Sequence, residues 1–135
     1  MMHQDLVKTI KFFKHKSQYF IAFIVPFLRP VKCDQGQYIF RENDPVDEIY
    51  FLSSGKAAYV LTEYNDAVYL IVDRGYYFGE IEFLYVDEEG NTDGKRKFTT
   101  KALEDSELFI LVKTDLLKAD GEFEDVISDL FSNAT

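Results

Sequence analysis

Three residues in the middle of this chain have the types and spacing to do chemistry. They are Gly79 and Glu80, in the run GYYFGEIEFL (75–84), and Arg96, in KRKFTTKAL (95–103). Tyr76, Tyr77 and Phe78 have the aromatic content of a strand end, and Gly79 permits a turn or a close approach that a side chain would block. If Ile81 opens a short helix, the N–H groups of Gly79, Ile81 and Glu82 face outward at its positive end, where an anion is favoured. Glu80 beside them is an acceptor for a hydroxyl group. The guanidinium of Arg96 offers paired donors matched to phosphate oxygens, each charged hydrogen bond contributing about 1.5–3 kcal/mol. Such a cradle suits a phosphate carried on a hydroxyl-bearing ring.

The flanking pattern predicts what holds these residues in place. Leu6, Ile10 and Phe13 fall at helical spacing; Phe20, Phe23, Ile24 and Phe27 repeat it behind a Ser17 cap, with Pro26 ending or kinking that helix. From Val31 to Val112, short β-rich runs alternate with turn signals at Gln35-Gly36, Asn43 to Pro45, Ser54-Gly55, Asn65-Asp66 and Arg74-Gly75. No segment among them is long enough for a helical crossover, which predicts an antiparallel roll. Phe123, Val126, Ile127, Leu130 and Phe131 form a final helical stripe, with its cap expected near Asp120. The expected fold is α+β, an antiparallel β jelly-roll barrel flanked by N-terminal helices and a C-terminal helix. It forms one domain over 1–135, with helices in 1–30, the roll in 31–113 containing the cradle at 75–99, and C-terminal helices in 114–135.

Composition narrows the class. A chain of 135 residues, 47% of them hydrophobic, supports one core, and thirteen Phe with nine Tyr suit a β-rich interior. Cys33 is the single cysteine, so no internal disulfide can form and a reducing, cytosolic setting is expected; a half-buried strand position suits it better than a reactive one. No leader peptide is evident, and the apolar run from Tyr19 to Leu28 is interrupted by Pro26 and falls short of the roughly 20 residues a membrane span needs, so a soluble chain is expected. Residues 1–32 carry a net charge of +5 and residues 33–135 carry −14, which together make the overall −9. An acidic bulk surface disfavours nucleic acid, while the basic N-terminal helix presents either a solvated face or a surface for an acidic partner, a neighbouring subunit or anionic lipid.

The FGEI run with a downstream arginine resembles the phosphate-binding cassette of the cyclic nucleotide-binding domain family. The resemblance extends from LVKTIKFFKHKSQYFIAFIVPFLRP through VDEIYFLSSGKAAYVL and covers nearly the whole chain. The FF after a short basic helix and the FLRP before the first strand look most like the cytoplasmic domains of cyclic-nucleotide-gated and hyperpolarisation-activated cation channels, with kinase regulatory subunits close behind. The resemblance implies a ligand, cAMP or cGMP, and no cofactor. It implies that Glu80 holds the ribose 2′-hydroxyl, that Arg96 pairs with the cyclic phosphate, and that the backbone at Gly79, Ile81 and Glu82 completes the phosphate nest. Lys97 and Thr99 follow the arginine in the same site, and Leu70 and Val72 belong to the purine pocket. The family's small residue is Glu82 in this chain, Lys97 and Phe98 stand where a small pair is usual, and the loop from Tyr85 to Lys95 is long and acidic. In the family a C-terminal helix closes over the cassette; here the stripe ending near Thr135 is either the start of a longer lid or a cover for the open end of the roll.

Other chemistries find less support. A metal-dependent oxygenase roll needs at least two histidines on its strands, and the two here, His3 and His15, lie in the N-terminal region. No Ser or Cys has a histidine partner within the roll, the 87–93 loop lacks calcium-ligand spacing, and no enzyme activity or metal is expected. Two functional classes stay open. One is a domain that senses cAMP or cGMP and moves its terminal helices, as part of a larger membrane channel on its cytoplasmic side or of another effector, with self-association unresolved. The other is a ligand-free interaction module in which Arg96 is neutralised by Glu80 or Glu82. On the sensing reading Arg96, in the basic cluster 95–97, is expected to lie outside the core.

Overall fold

The computed structural model describes residue 6, residues 8–83, residue 89 and residues 93–132. Eight strands form two antiparallel four-stranded sheets. In chain order they are β1 (Arg29–Cys33), β2 (Tyr38–Phe40), β3 (Glu48–Ser54), β4 (Lys56–Leu61), β5 (Ala67–Asp73), β6 (Tyr77–Phe78), β7 (Thr99–Ala102) and β8 (Ser106–Val112). One sheet has the order β1-β8-β3-β6 and the other β2-β7-β4-β5. Each expected turn coincides with left-handed backbone: Gly36, Asn43, Gly55, Asn65, Asp66 and Gly75 all have positive φ. At Gly55, between β3 and β4, an added Cβ would stand 2.2 Å from Ser106 Oγ, so only glycine lets the chain pass from one sheet to the other there.

The apolar residues divide between two cores. Tyr50, Leu52, Ala57, Tyr59, Val72, Phe78 and Leu108 fill the space between the sheets. The alternate residues of β3 and β8, namely Ile49, Phe51, Phe109 and Leu111, face the helices. Both faces of β3 are therefore covered, which explains its unbroken apolar run.

Helix α1 (Gln18–Ile24) begins at the expected cap, where Ser17 Oγ accepts from Phe20 N at 3.1 Å, and it passes into a 3₁₀ turn containing Pro26. The C-terminal segment forms two helices, α2 (Lys113–Glu122) and α3 (Glu124–Ser132), and departs from expectation at the cap, since Asp120 lies inside α2 instead of starting the stripe. The break is at Phe123, whose backbone leaves helical angles. Its ring packs at 5.3 Å from each of Phe20 and Phe23, so burial of one aromatic side chain sets the bend. No helix among the described residues is long and apolar enough to cross a membrane.

Side chains tie the terminal helices to the sheet. Lys16 pairs with Asp129 at 2.9 Å, and Tyr77 on β6 donates its hydroxyl to the Leu130 carbonyl of α3 at 2.5 Å while its ring packs against Phe12 and Phe51. Tyr77→Phe keeps the ring and removes one half-buried hydrogen bond. A loss of about 1 kcal/mol in urea unfolding is expected, with faster amide exchange concentrated in α3; uniform exchange along the chain would show that this bond does not hold the helix.

Candidate ligand-binding site

The residues singled out in the sequence separate into two adjoining places, with Gly79 between them. On one side is a cavity of about 380 Å³. Its walls are Tyr59, Leu70 and Val72 from β4 and β5, Tyr77 and Phe78 from β6, and Glu80 with Ile81, while Lys11 and Phe12 of the N-terminal segment stand at its edge. Val72 is buried and Leu70 is 53% exposed, so the cavity has a closed floor and an open rim. Lys11 reaches across to Tyr76, its Nζ donating to the phenol oxygen at 2.9 Å, and its own N–H donates to the Gly75 carbonyl. The basic N-terminal segment is thus partly occupied within the chain.

Glu80 is 4% exposed and takes hydrogen bonds from its own N–H and that of Ile81. Burial raises its carboxyl from the ordinary 4.5 to about 7, assisted by the nearby charge of Glu82 and opposed by those backbone bonds and by Arg96. Tyr59 sends its hydroxyl toward the same corner, where it accepts from Gly79 N at 3.3 Å, and burial lifts its pKa as well.

On the other side of Gly79 lies the arginine. Arg96 is 1% exposed, which corrects the expectation of a residue outside the core. Its Nη1 donates to the Gly79 carbonyl at 2.6 Å and to Glu82 Oε1 at 3.1 Å, and its Nη2 donates to the Glu48 carbonyl at 2.5 Å. The guanidinium rests 4.0 Å from the Phe40 ring centre. The backbone on both sides is clamped: Arg96 N donates to Asp44 O, and Asn43 N donates to Arg96 O. Gly79, at φ +88°, sits in a left-handed conformation that strains any L side chain, and a Cβ there would press tightly on Tyr50 at 3.1 Å and Arg96 Nη1 at 3.3 Å.

Glu82 is the charge partner. It sits in a 3₁₀ turn (Ile81–Phe83), 2% exposed, and its Oε2 accepts from the N–H groups of Lys97 and Phe98 at 3.1 and 3.3 Å. The Lys97 side chain turns outward to Asp93 at 2.7 Å, so only its amide joins the site. Thr99 is buried on β7, where its Oγ1 accepts from Glu42 N. The acidic loop lies largely outside the described residues.

The structure thus gathers Glu80, Ile81, Leu70 and Val72 around the cavity, and Arg96, Glu82 and the Lys97 amide into a buried cluster beside it. Tyr59, Phe40 and the Glu48 carbonyl were missed, because an aromatic in a strand and a backbone oxygen carry no positional signal. Among the described residues no group of three or more His, Cys, Asp or Glu could hold a metal ion.

Two facing antiparallel sheets, a cavity lined by one buried carboxylate, and a guanidinium packed behind a glycine define the class: a two-sheet β domain with a cavity of small-molecule size. The sequence profile of the cyclic nucleotide-binding domain matches residues 30–119, and the chain belongs to that family. The cyclic nucleotide-gated channel alpha-3 of Homo sapiens is 30% identical over 123 residues, 90% of this chain and 17% of that protein. Cyclic nucleotide-gated channel alpha-2 of Bos taurus is 31% identical over 125 residues, 92% of this chain and 18% of that one. The chain spans less than a fifth of the length of these relatives. Among solved structures, the catabolite activator protein of Thermus thermophilus superposes with a TM-score of 0.72 at 22% identity, over 90% of this chain and 55% of that one. A cyclic nucleotide-binding protein candidate from Geobacter metallireducens gives 0.77 at 15% identity, over 99% and 93%. At those identities the likeness is one of fold.

Burial changes what an arginine substitution does. Arg96→Ala leaves Glu82 buried without its cation, and a loss of about 3–5 kcal/mol in denaturant unfolding is expected, against the intact fold that an exposed arginine would have given; a loss under about 1 kcal/mol would show that the pair is not desolvated. Glu80 sets a pH dependence. Its folded pKa of about 7 lies above the unfolded 4.5, so between these values the unfolded chain ionises first and stability falls as pH rises. Glu80→Gln should therefore gain on the parent by about 2 kcal/mol between about pH 5 and about pH 8 in urea unfolding. A difference that stays constant with pH would place the Glu80 carboxyl in contact with water.

Proposed function

We propose that this domain binds a cyclic nucleotide, cAMP or cGMP, in the cavity beside Glu80 and relays occupancy through its terminal helices to a larger protein. The observation that carries this is the cavity itself: about 380 Å³, within the range of small-molecule sites, with a single buried carboxylate among apolar and aromatic walls. Glu80 would accept from the ribose hydroxyl, Leu70 and Val72 would meet the purine, and the Gly79–Glu82 backbone with Arg96, Lys97 and Thr99 would form the phosphate side. The two sheets would then serve as the family's jelly roll.

The relay rests on Tyr77, which lines the cavity and bonds to Leu130 of α3, and on Phe83, which packs at 6.1 Å from Phe131. A membrane channel carrying this domain on its cytoplasmic side is the effector that best suits the chain, because the relatives named above are cyclic nucleotide-gated channels. A kinase-type regulatory role is the other sensing arrangement. A second reading, a ligand-free interaction module, is favoured by the pairing of Arg96 with Glu82, which leaves the guanidinium no vacant charge partner.

Calorimetric titration with cAMP and then cGMP tests the first reading; saturable one-to-one heat is expected. Leu70→Trp, at a half-exposed position on the rim, should remove the heat while leaving the melting temperature within a few degrees. Absence of heat from the folded parent with both nucleotides would favour the interaction module.

A further inference from the structure

We infer that Glu82 is a built-in occupant of an anion site, its carboxylate holding the donors that an anionic ligand would otherwise take. Three donors converge on this one side chain: Arg96 Nη1 on Oε1, and the successive N–H groups of Lys97 and Phe98 on Oε2. A guanidinium beside two adjacent amides is a donor set that matches a phosphate at least as well as a carboxylate. The two charged side chains are removed from water, Arg96 and Glu82 being 1% and 2% exposed.

The anchor does not depend on Glu82 for its shape. Arg96 is held independently by the carbonyls of Gly79 and Glu48 and by the face of Phe40, and its backbone is clamped to residues 43 and 44. Lys97 and Phe98 follow it directly into β7. Shortening residue 82 therefore leaves a set of oriented donors around the volume where the carboxylate stood. The buried guanidinium then lacks a counter-charge, and a free anion entering that volume restores it. The identity of the natural anion as a cyclic nucleotide phosphate rests on the function proposed above; the closed anchor itself does not.

The experiment uses inorganic phosphate as the probe, with chloride at matched ionic strength as the control. Glu82→Ala should melt below the parent in chloride and recover by about 4 °C or more in roughly 50 mM phosphate, while the parent responds equally to both salts. Glu82→Ser, which keeps one acceptor near the two amides, serves if the alanine variant does not fold. The double variant Glu82→Ala/Arg96→Met, having lost both charges of the pair, should lose the phosphate response. Equal melting in phosphate and chloride for the folded single variant, or an undiminished response in the double variant, overturns the inference. A parallel titration with cAMP and cGMP separates the two claims: phosphate recovery with no nucleotide binding by parent or variant sinks the nucleotide reading and leaves Glu82 as the occupant of the anchor. Nucleotide binding without any phosphate recovery does the reverse.

Discussion

A guanidinium taken out of water needs a counter-charge and a partner for nearly every N–H, and the chain around residues 79–82 is arranged to meet those needs for Arg96. Glu82 supplies the charge, the carbonyls of Gly79 and Glu48 take two further hydrogen bonds, and Phe40 covers the face of the ion. Four stretches of chain that are distant in sequence are thereby fixed against one another: β2, the start of β3, the cassette turn and the approach to β7. Desolvation offsets much of the Coulomb gain in such a pair, so its contribution to net stability is small compared with its effect on geometry. What the pair supplies is position. Residues 82 and 96 are held together across a separation of fourteen, and Gly79, with left-handed backbone, is packed closely against Arg96.

Local signals made most of the fold legible in advance. Turn residues at 36, 43, 55, 65–66 and 75 all take left-handed backbone, and the Ser17 cap forms, because each depends on one residue's own conformational preference or on a partner three positions away. That the C-terminal break falls at Phe123 and not at Asp120 was not legible. Its cause is a ring contact with α1, about a hundred residues earlier in the chain. The site divides along the same line. Glu80, Arg96, Leu70 and Val72 could be named from motif and resemblance, and the sequence even offered Glu82 as an internal partner for Arg96. The depth at which that pair is buried could not be read, because it is decided by Phe40, Tyr50 and the Glu48 carbonyl, and nothing about those residues in sequence points toward an arginine.

The two cores give the domain a mechanical division of labour. Between the sheets, Tyr50, Tyr59 and Phe78 support the cavity and the anchor, whereas the outer face of β3 and β8 carries α1, α2 and α3. Tyr77 belongs to both environments. Its ring lies among Phe12 and Phe51 of the helix-facing core, it lines the cavity, and its hydroxyl reaches α3. A change in the cavity that displaces this ring must either break the bond to Leu130 or carry α3 with it, and packed aromatic contacts favour discrete rearrangement over continuous deformation.

The separation of cavity and anchor bears on what any occupant can accomplish. A ligand shifts an equilibrium only by the difference in its affinity for the two states. A molecule that fills the cavity and touches Glu80 alone makes no demand on Glu82, so the cassette keeps its arrangement and only Tyr77 can report the event. A molecule whose anion takes the guanidinium must displace a carboxylate that already holds three donors, and the displaced Glu82 must then find water or another cation. The second event is opposed by much more free energy, yet it is the one that reorganises the 3₁₀ turn and, through Phe83, the contact with Phe131. For such an anion, the same carboxylate at position 82 would both oppose binding and, once displaced, set off the rearrangement.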